Sequence, residues 1–340
     1  MSYASTAGVG HGLERVTDNI ARLPLPPPLP DLKTVNAYVV SAPDGVTLID
    51  PGWAYRPGET ALLDALAVLD RTLGDVRRIL VTHQHWDHYS LAVKWRDAYG
   101  IELLLGYEER HSIEAFATLD GVHPRQVGML IEAGAAELAG QVARLEWEPH
   151  EKGVAFTPPD RWLHDGEVID CGPSHITVRA TPGHTRGHVV FEDEAHGVMF
   201  TGDHLLPRIT PSIAFERTPE RLPLRSYLAS LRLLLGLPDA RMLPAHGTTE
   251  HTTRARTAEL LDHHSTRLTQ VADMVAAGNP TSFEVATKMR WTRRERRLDE
   301  LEIVHRMMAV LEVQSHLDVL VSQRVLQSDV VDGVRQFSVA

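Results

Sequence analysis

Apolar positions in the first hundred residues come in short, nearly unbroken runs interrupted by turn signals. Ile20 to Leu23, Val35 to Ser41 and Val46 to Ile49 predict three strands, with Pro43-Asp44-Gly45 turning the chain between the last two. Pro24 to Pro30 (PLPPPLP) cannot form a helix or a central strand and predicts an extended surface connector. Thr60 to Leu73 carries Leu62, Leu63, Leu66 and Leu69 at helical spacing. A strand at Arg78 to Thr82, a helix at Ser90 to Tyr99 and a buried strand at Ile101 to Leu105 then form a unit of the α/β kind. Residues 108 to 145, rich in Ala, Glu and Leu, predict an inserted set of helices able to form a lid over a pocket.

From Arg161 the pattern returns to strands, punctuated by Asp165-Gly166, Pro182-Gly183 and Gly202. Helices over Pro219 to Leu235 and Thr252 to Ala277 flank a short strand, Arg241 to Pro244. The organisation changes near Gly278-Asn279-Pro280. Thr281 to Ala340 predicts a helix, a turn, a long helix and two short strands (Arg324 to Gln327, Val334 to Val339), the order of a small winged-helix-like unit. The expected division is a body over 1–277 and an appendage over 278–340.

Composition narrows the function classes. The chain has 340 residues, 43% apolar and 23% charged, which suits a packed body of enzyme size. Its 34 Lys+Arg against 45 Asp+Glu give a net charge of -11, so no global basic field draws nucleic acid, and binding it would need a local patch. The last 63 residues hold nine basic and nine acidic groups and are neutral. One cysteine, Cys171, excludes an internal disulfide framework and a Cys-rich zinc finger, so a metal site must use His and carboxylate. No run reaches the roughly 18 apolar residues of a membrane span, and the opening residues lack a basic region followed by an apolar one. These features predict a cytoplasmic protein without a membrane partner.

What stands out is histidine, 19 copies in all. Thr82-His83-Gln84-His85-Trp86-Asp87-His88 places four candidate ligands directly after an apolar strand. His83 and His85 share one side if the strand continues, while Asp87 and His88 sit where the chain turns, so one segment can feed two metals. Three more ligands stand beside glycines at predicted strand ends: His184 in Pro182-Gly183-His184, Asp203 in Thr201-Gly202-Asp203 and His246 in Ala245-His246-Gly247. The set is seven nitrogen and oxygen donors with no sulfur, which two borderline metals sharing Asp203 would use completely.

This ordered set resembles the metallo-β-lactamase superfamily over roughly residues 15 to 250. The resemblance implies an αββα sandwich followed by a small, mostly helical C-terminal domain. It also implies one metal site of His83, His85 and His184, a second of Asp87, His88 and His246, and a bridge at Asp203. Two zinc ions are the implied cofactors, with iron or manganese as alternatives. The catalytic residues would be Asp203, as the bridge, and Asp87, which can also accept a proton from a bridging water whose pKa falls towards 7. Zinc β-lactamases of the best-known class have Cys where Asp203 stands, and the diiron branch has Glu where His85 stands. The stretch Thr181 to His188 (TPGHTRGH) looks most like the glyoxalase II branch.

The leading expectation is therefore a dinuclear zinc hydrolase whose bridging hydroxide opens a thioester, ester or lactone in a small or carrier-linked substrate. The alternatives are a phosphodiesterase acting on RNA, a mononuclear iron persulfide dioxygenase, and a nucleic-acid-binding module using the C-terminal unit. His188, His204, Trp86 and Tyr89 are candidates for substrate contact or ligand support, against a packing role. His263, His264, His305 and His316 read as surface or core histidines. Arg293, Arg294, Arg296 and Arg297, followed by three acidic residues, read as a solvated helix face. Cys171 reads as a buried structural thiol, and a homodimer through the C-terminal helices is the expected assembly.

Overall fold

The computed structural model describes residues 12–28 and 34–340. The opening residues on which the localisation expectation rests, and the last two of the proline-rich run, lie outside the described residues. The first sheet runs in chain order: β1 (Glu14–Arg15), β2 (Ile20–Leu25), β3 (Val35–Ala42), β4 (Gly45–Ile49), β5 (Val76–Val81), β6 (Glu102–Gly106) and β7 (Arg161–Leu163). It is antiparallel as far as β4 and parallel beyond it. The second sheet holds β8 (Val168–Cys171), β9 (Ser174–Ala180), β10 (Val189–Asp193), β11 (Val198–Gly202) and β12 (Arg241–Pro244), ordered β12-β11-β10-β9-β8. Only the β11–β12 pair is parallel there.

Alternate residues of these strands serve different layers. Ile20, Val40, Ile49, Leu80 and Leu104 meet Ile176, Val178, Phe191 and Phe200 of the second sheet. Their neighbours Ala21, Val39, Leu48, Ile79 and Leu103 face helices α1 (Arg56–Val68) and α2 (Trp86–Tyr99) through Leu62, Leu66, Tyr89 and Trp95. A strand buried on both faces needs an apolar residue at every position, which is why these segments appear as unbroken runs. The layers are helix, sheet, sheet, helix.

The outer face of the second sheet is covered differently. Val190, Met199 and Met242 share one apolar cluster with residues from α4 (Pro124–Glu132), α5 (Ala136–Val142), α6 (Pro223–Leu235) and α7 (Thr253–Ala276), and with Val285 of α8 (Ser282–Lys288) and the long α9 (Ile303–Ser322). The preceding α3 (Arg110–Thr118) and a 3-10 turn at Tyr107–Glu109 begin the insertion. The inserted helices α4 and α5 thus pack into the same core as the C-terminal segment, so these two do not form a detached lid. A hairpin, β13 (Leu326–Val331) and β14 (Val334–Val339), closes the chain. Thr281 and Glu284 form a capping box that starts α8.

Buried between α7 and α9, His264 and His316 hydrogen-bond at 3.2 Å. His316 Nδ1 donates to the Glu312 carbonyl at 2.7 Å. His316 Nε2 is then the acceptor, and His264 Nδ1 the donor. Cys171 is buried as expected.

Two local expectations are corrected. Pro24 and Leu25 extend β2, which is tolerated because β1 pairs only with Ala21 and Arg22, leaving the edge beside Pro24 open. Residues 290–297 form a turn rather than a helix face, because Trp291 and Arg296 pair across it. Among the described residues, no helix is long and apolar enough to cross a membrane.

Candidate metal centre

All seven predicted ligands meet at one end of the two sheets. His83 and His85 follow β5. Helix α2 begins at Trp86, earlier than the pattern predicts, so Asp87 and His88 occupy its first turn. His184 lies in the turn between β9 and β10, Asp203 directly after β11, and His246 two residues after β12. Gly202 has φ +50°, and an added Cβ would stand 2.6 Å from Thr82 Oγ1 and 2.8 Å from His188 Nε2, so only glycine lets β11 deliver Asp203 there. The two sheets are tied at this end. Asn36 of β3 donates to the carbonyls of Pro244 (2.8 Å) and Gly247 (3.0 Å), and the Val189 N–H donates to the Thr82 carbonyl at 2.9 Å.

The donor atoms form two groups: His83, His85, His184 and Asp203, then Asp87, His88 and His246. Asp203 faces both. Its Oδ2 is 3.6 Å from His184 Nε2, and its Oδ1 is 3.3 Å from His246 Nε2 and 3.8 Å from His88 Nε2. Asp87 Oδ2 lies 3.2 Å from His246 Nε2 and 3.5 Å from His88 Nε2.

The outer hydrogen bonds fix which ring nitrogens are bare. Thr82 Oγ1 donates its one proton to Asp50 Oδ2 (2.7 Å), so it accepts from His83 Nδ1–H at 3.1 Å, leaving His83 Nε2 unprotonated. His184 Nδ1 donates to the Ser212 carbonyl (2.8 Å) and His246 Nδ1 to the Thr34 carbonyl (2.9 Å), which turns their Nε2 lone pairs inward. His83 Nε2 and His184 Nε2 lie 3.0 and 3.1 Å from His85 Nδ1, which can donate to only one of them. His88 Nε2 and Asp203 Oδ1 are buried with no hydrogen-bond partner among the described residues. Converging lone pairs of this kind repel unless a cation sits among them, so the residues fit a pair of metal ions.

The electrostatics agree. Burial drives the imidazoles of His83, His184 and His85 below their ordinary range, His85 to about 3, which keeps them neutral as ligands must be. Burial works in the same direction on His88 and His246, but the carboxylates outweigh it, Asp87 and Asp50 pushing His88 up to about 10 and Asp203 and Asp87 raising His246, so these two rings hold protons that a bound metal ion would displace. Burial raises Asp203 and Asp87, and the facing histidines (His246 and His88) override it to hold both carboxyls low. The site is a buried field of negative charge that favours a cation.

Four further candidates divide. His188 is buried, stacks on His83 at 5.0 Å and accepts the Asp203 N–H through Nε2 at 3.2 Å, so it positions a ligand. His204 is buried, with its ring 4.8 Å from Tyr227. Tyr89 is fully buried and its hydroxyl donates to the Thr157 carbonyl, which makes it a packing residue rather than a pocket wall. Trp86 is half-buried beside Phe156, 4.3 Å away, within an aromatic cluster.

Sequence reasoning missed Asp50 and Asn36. Asp50 also lies 3.0 Å from His88 Nδ1, and it receives both the Thr82 hydroxyl and its N–H (2.8 Å), so it braces ligands of both groups. Its position at a strand end before Pro51-Gly52, like that of the other strand-end ligands, was the available signal.

The model of the metallo-beta-lactamase superfamily matches residues 30–246, ending on the last ligand. The chain belongs to that superfamily. Within it, the chain is similar to Probable metallo-hydrolase YqjP of Bacillus subtilis, 26% identical over 92% of this chain and 95% of the relative. It is 31% identical to a hydroxyacylglutathione hydrolase of Mesorhizobium japonicum over 58% of each chain. A solved metallo-beta-lactamase family protein from Thermus thermophilus superposes with a TM-score of 0.75 at 26% identity, covering 96% of this chain and all of that one. That superposition spans nearly the full length of both chains.

Proposed function

We propose that this protein is a dinuclear zinc hydrolase that opens a thioester in a carrier-linked substrate, with esters and lactones as neighbouring chemistries. The observation that carries it is Asp203, which presents one carboxylate oxygen to each ligand group. The all nitrogen and oxygen donor set suits zinc, and also iron or manganese. The thioester class is supported by the similarity to a hydroxyacylglutathione hydrolase.

Zinc ions held by these seven residues would supply a nucleophile at neutral pH by acidifying a water, and would polarise the substrate carbonyl. The chain's own residues do the rest. Thr82, Ser212 and Thr34 hold the imidazoles of His83, His184 and His246 in one tautomer each. Asp50 braces His88, and the His188 ring holds the Asp203 backbone. Asp87, kept ionised by His88 and His246 despite its burial, is the base available to take a proton. No serine or cysteine nucleophile is required. We read the α8, α9, β13–β14 unit as winged-helix-like from its element order.

Elemental analysis of protein purified without chelator tests the centre. Near two zinc per chain is expected, falling to one or less in Asp203→Ala, with thioester cleavage reduced at least about a hundredfold. One iron per chain with oxygen consumption would replace this reading with an oxygenase. Absence of bound metal in the wild type would remove it.

A further inference from the structure

Residues 290–297 read Arg-Trp-Thr-Arg-Arg-Glu-Arg-Arg, five arginines and one glutamate in a protein of net charge -11. The segment is a built loop. The Trp291 and Arg296 backbones exchange two hydrogen bonds of 2.8 Å, and the buried Trp291 ring donates to the Ala286 carbonyl at 3.0 Å. Thr292 and Glu295 take left-handed φ values of 62° and 54°, a conformation that persists only where surrounding contacts enforce it. Arg293, Arg294, Arg296 and Arg297 stand exposed as a result. Arg297 has Asp299 at 3.6 Å. Among the described residues, Arg290, Arg293, Arg294 and Arg296 have no carboxylate in ion-pair range. Like charges gathered this way repel one another unless an external anion neutralises them.

The loop is joined to the metal centre. Arg293 Nη2 donates to the Arg208 carbonyl at 2.6 Å. Arg208 is itself exposed and lies five residues beyond Asp203, at most about 18 Å along an extended chain. Pro207 packs on Gly247, where an added Cβ would stand 2.7 Å from Pro207 Cγ, directly after His246. The segment that sends the Ser212 carbonyl to His184 therefore touches the arginine loop on its outer side.

We propose that Arg208, Arg290, Arg293, Arg294 and Arg296 form a phosphate-binding platform for the nucleotide end of a thiol carrier whose acyl thioester reaches the metal centre. This rests on the hydrolase reading above and names its substrate class. Guanidinium groups pair with phosphate oxygens in bidentate fashion, and arginine is the sole cation type in the loop. A polynucleotide would need a basic track along its backbone. Here the positive charge is gathered in one loop of an acidic molecule, which suits a compact polyphosphate.

The test compares wild type with the triple variant Arg293→Ser, Arg294→Ser, Arg296→Ser, and with the corresponding triple Lys variant as a control for loop packing. Calorimetric binding of coenzyme A to the metal-loaded protein needs no turnover. It should weaken roughly tenfold or more in the Ser variant, be largely retained in the Lys variant, and decline in wild type as salt rises from about 50 to 200 mM. The ratio of kcat/KM for acetyl-coenzyme A over the phosphate-free thioester S-acetyl-N-acetylcysteamine should fall by a similar factor, through KM. Equal coenzyme A binding by wild type and the Ser variant overturns the platform. So does absence of coenzyme A binding alongside binding of a short RNA that the Ser variant loses. If wild type cleaves neither thioester, the hydrolase reading falls, while coenzyme A binding lost in the Ser variant still upholds the platform.

Discussion

Asp50 takes a φ of +49° at the end of β4, a backbone conformation that a non-glycine residue adopts at a cost. Its carboxylate receives two hydrogen bonds from Thr82 and faces His88 Nδ1, so the strained residue is the one that orients a ligand of each group. Asp50→Asn keeps the shape but loses the charge beside His88. The expected outcome is a 10- to 100-fold loss of affinity at the Asp87, His88, His246 group, read by competitive zinc titration as one weakened ion of two. Loss of both ions equally would show that Asp50 acts on the fold rather than on His88. The seven ligands are legible in the sequence because each carries its own signal, a titratable residue at a strand end beside a turn or glycine. Asp50 carries the same strand-end signal without a neighbouring histidine to mark it, whereas Asn36 and Ser212 are not legible, because their roles depend on carbonyls and rings that the chain brings near only after folding. Ser212 acts through its backbone oxygen, so its residue type says nothing about the contact.

At the scale of elements, strands and helices follow the apolar pattern closely where both faces of a strand are buried. The pattern is weaker where packing is decided at a distance. Helix α9 buries residues on nearly every side, and the α7–α9 contact contains the His264–His316 pair, which periodicity alone leaves as surface or core. Burial lowers His316 to about 4 and His264 to about 2, below the 6.5 of a free imidazole. A group depressed in this way binds its proton more readily in the unfolded chain. The stability it permits is complete above pH 6.5 and drains away as pH falls through the folded values. For His316 alone the loss reaches about 2 kcal/mol at pH 5. Urea unfolding at pH 7.5 and pH 5 should show that difference, and His316→Gln should reduce it. An unchanged difference in the variant would assign the acid sensitivity to other groups.

At the scale of the whole molecule, the sequence suggests a body ending near residue 277 and a separate neutral tail, because Gly278-Asn279-Pro280 breaks the pattern. The packing joins them. Met307, Val310, Leu311, Val313, Leu317 and Leu320 of α9 are each at most 4% exposed, in one cluster with Leu130, Leu138, Leu228, Leu231 and Val271 from the chain before the break. A linker-like stretch marks where the chain turns, and says nothing about which surfaces meet afterwards. Burying each such side chain contributes about 1.5–3 kcal/mol, so the six of α9 together exceed about 9 kcal/mol, within the whole net stability of an ordinary domain. A chain ending at Ala277 would also uncover the apolar faces of α4, α5, α6 and α7. The expected outcome is a truncated protein that aggregates or lacks a cooperative thermal transition, measured by scanning calorimetry and size exclusion, with metal binding lost because β11 and β12, which end at Asp203 and beside His246, pack under the same cluster through Met199 and Met242. A monomeric truncated protein that melts cooperatively and retains both metal ions would instead show that the catalytic body completes its own core and that the C-terminal segment is an added unit.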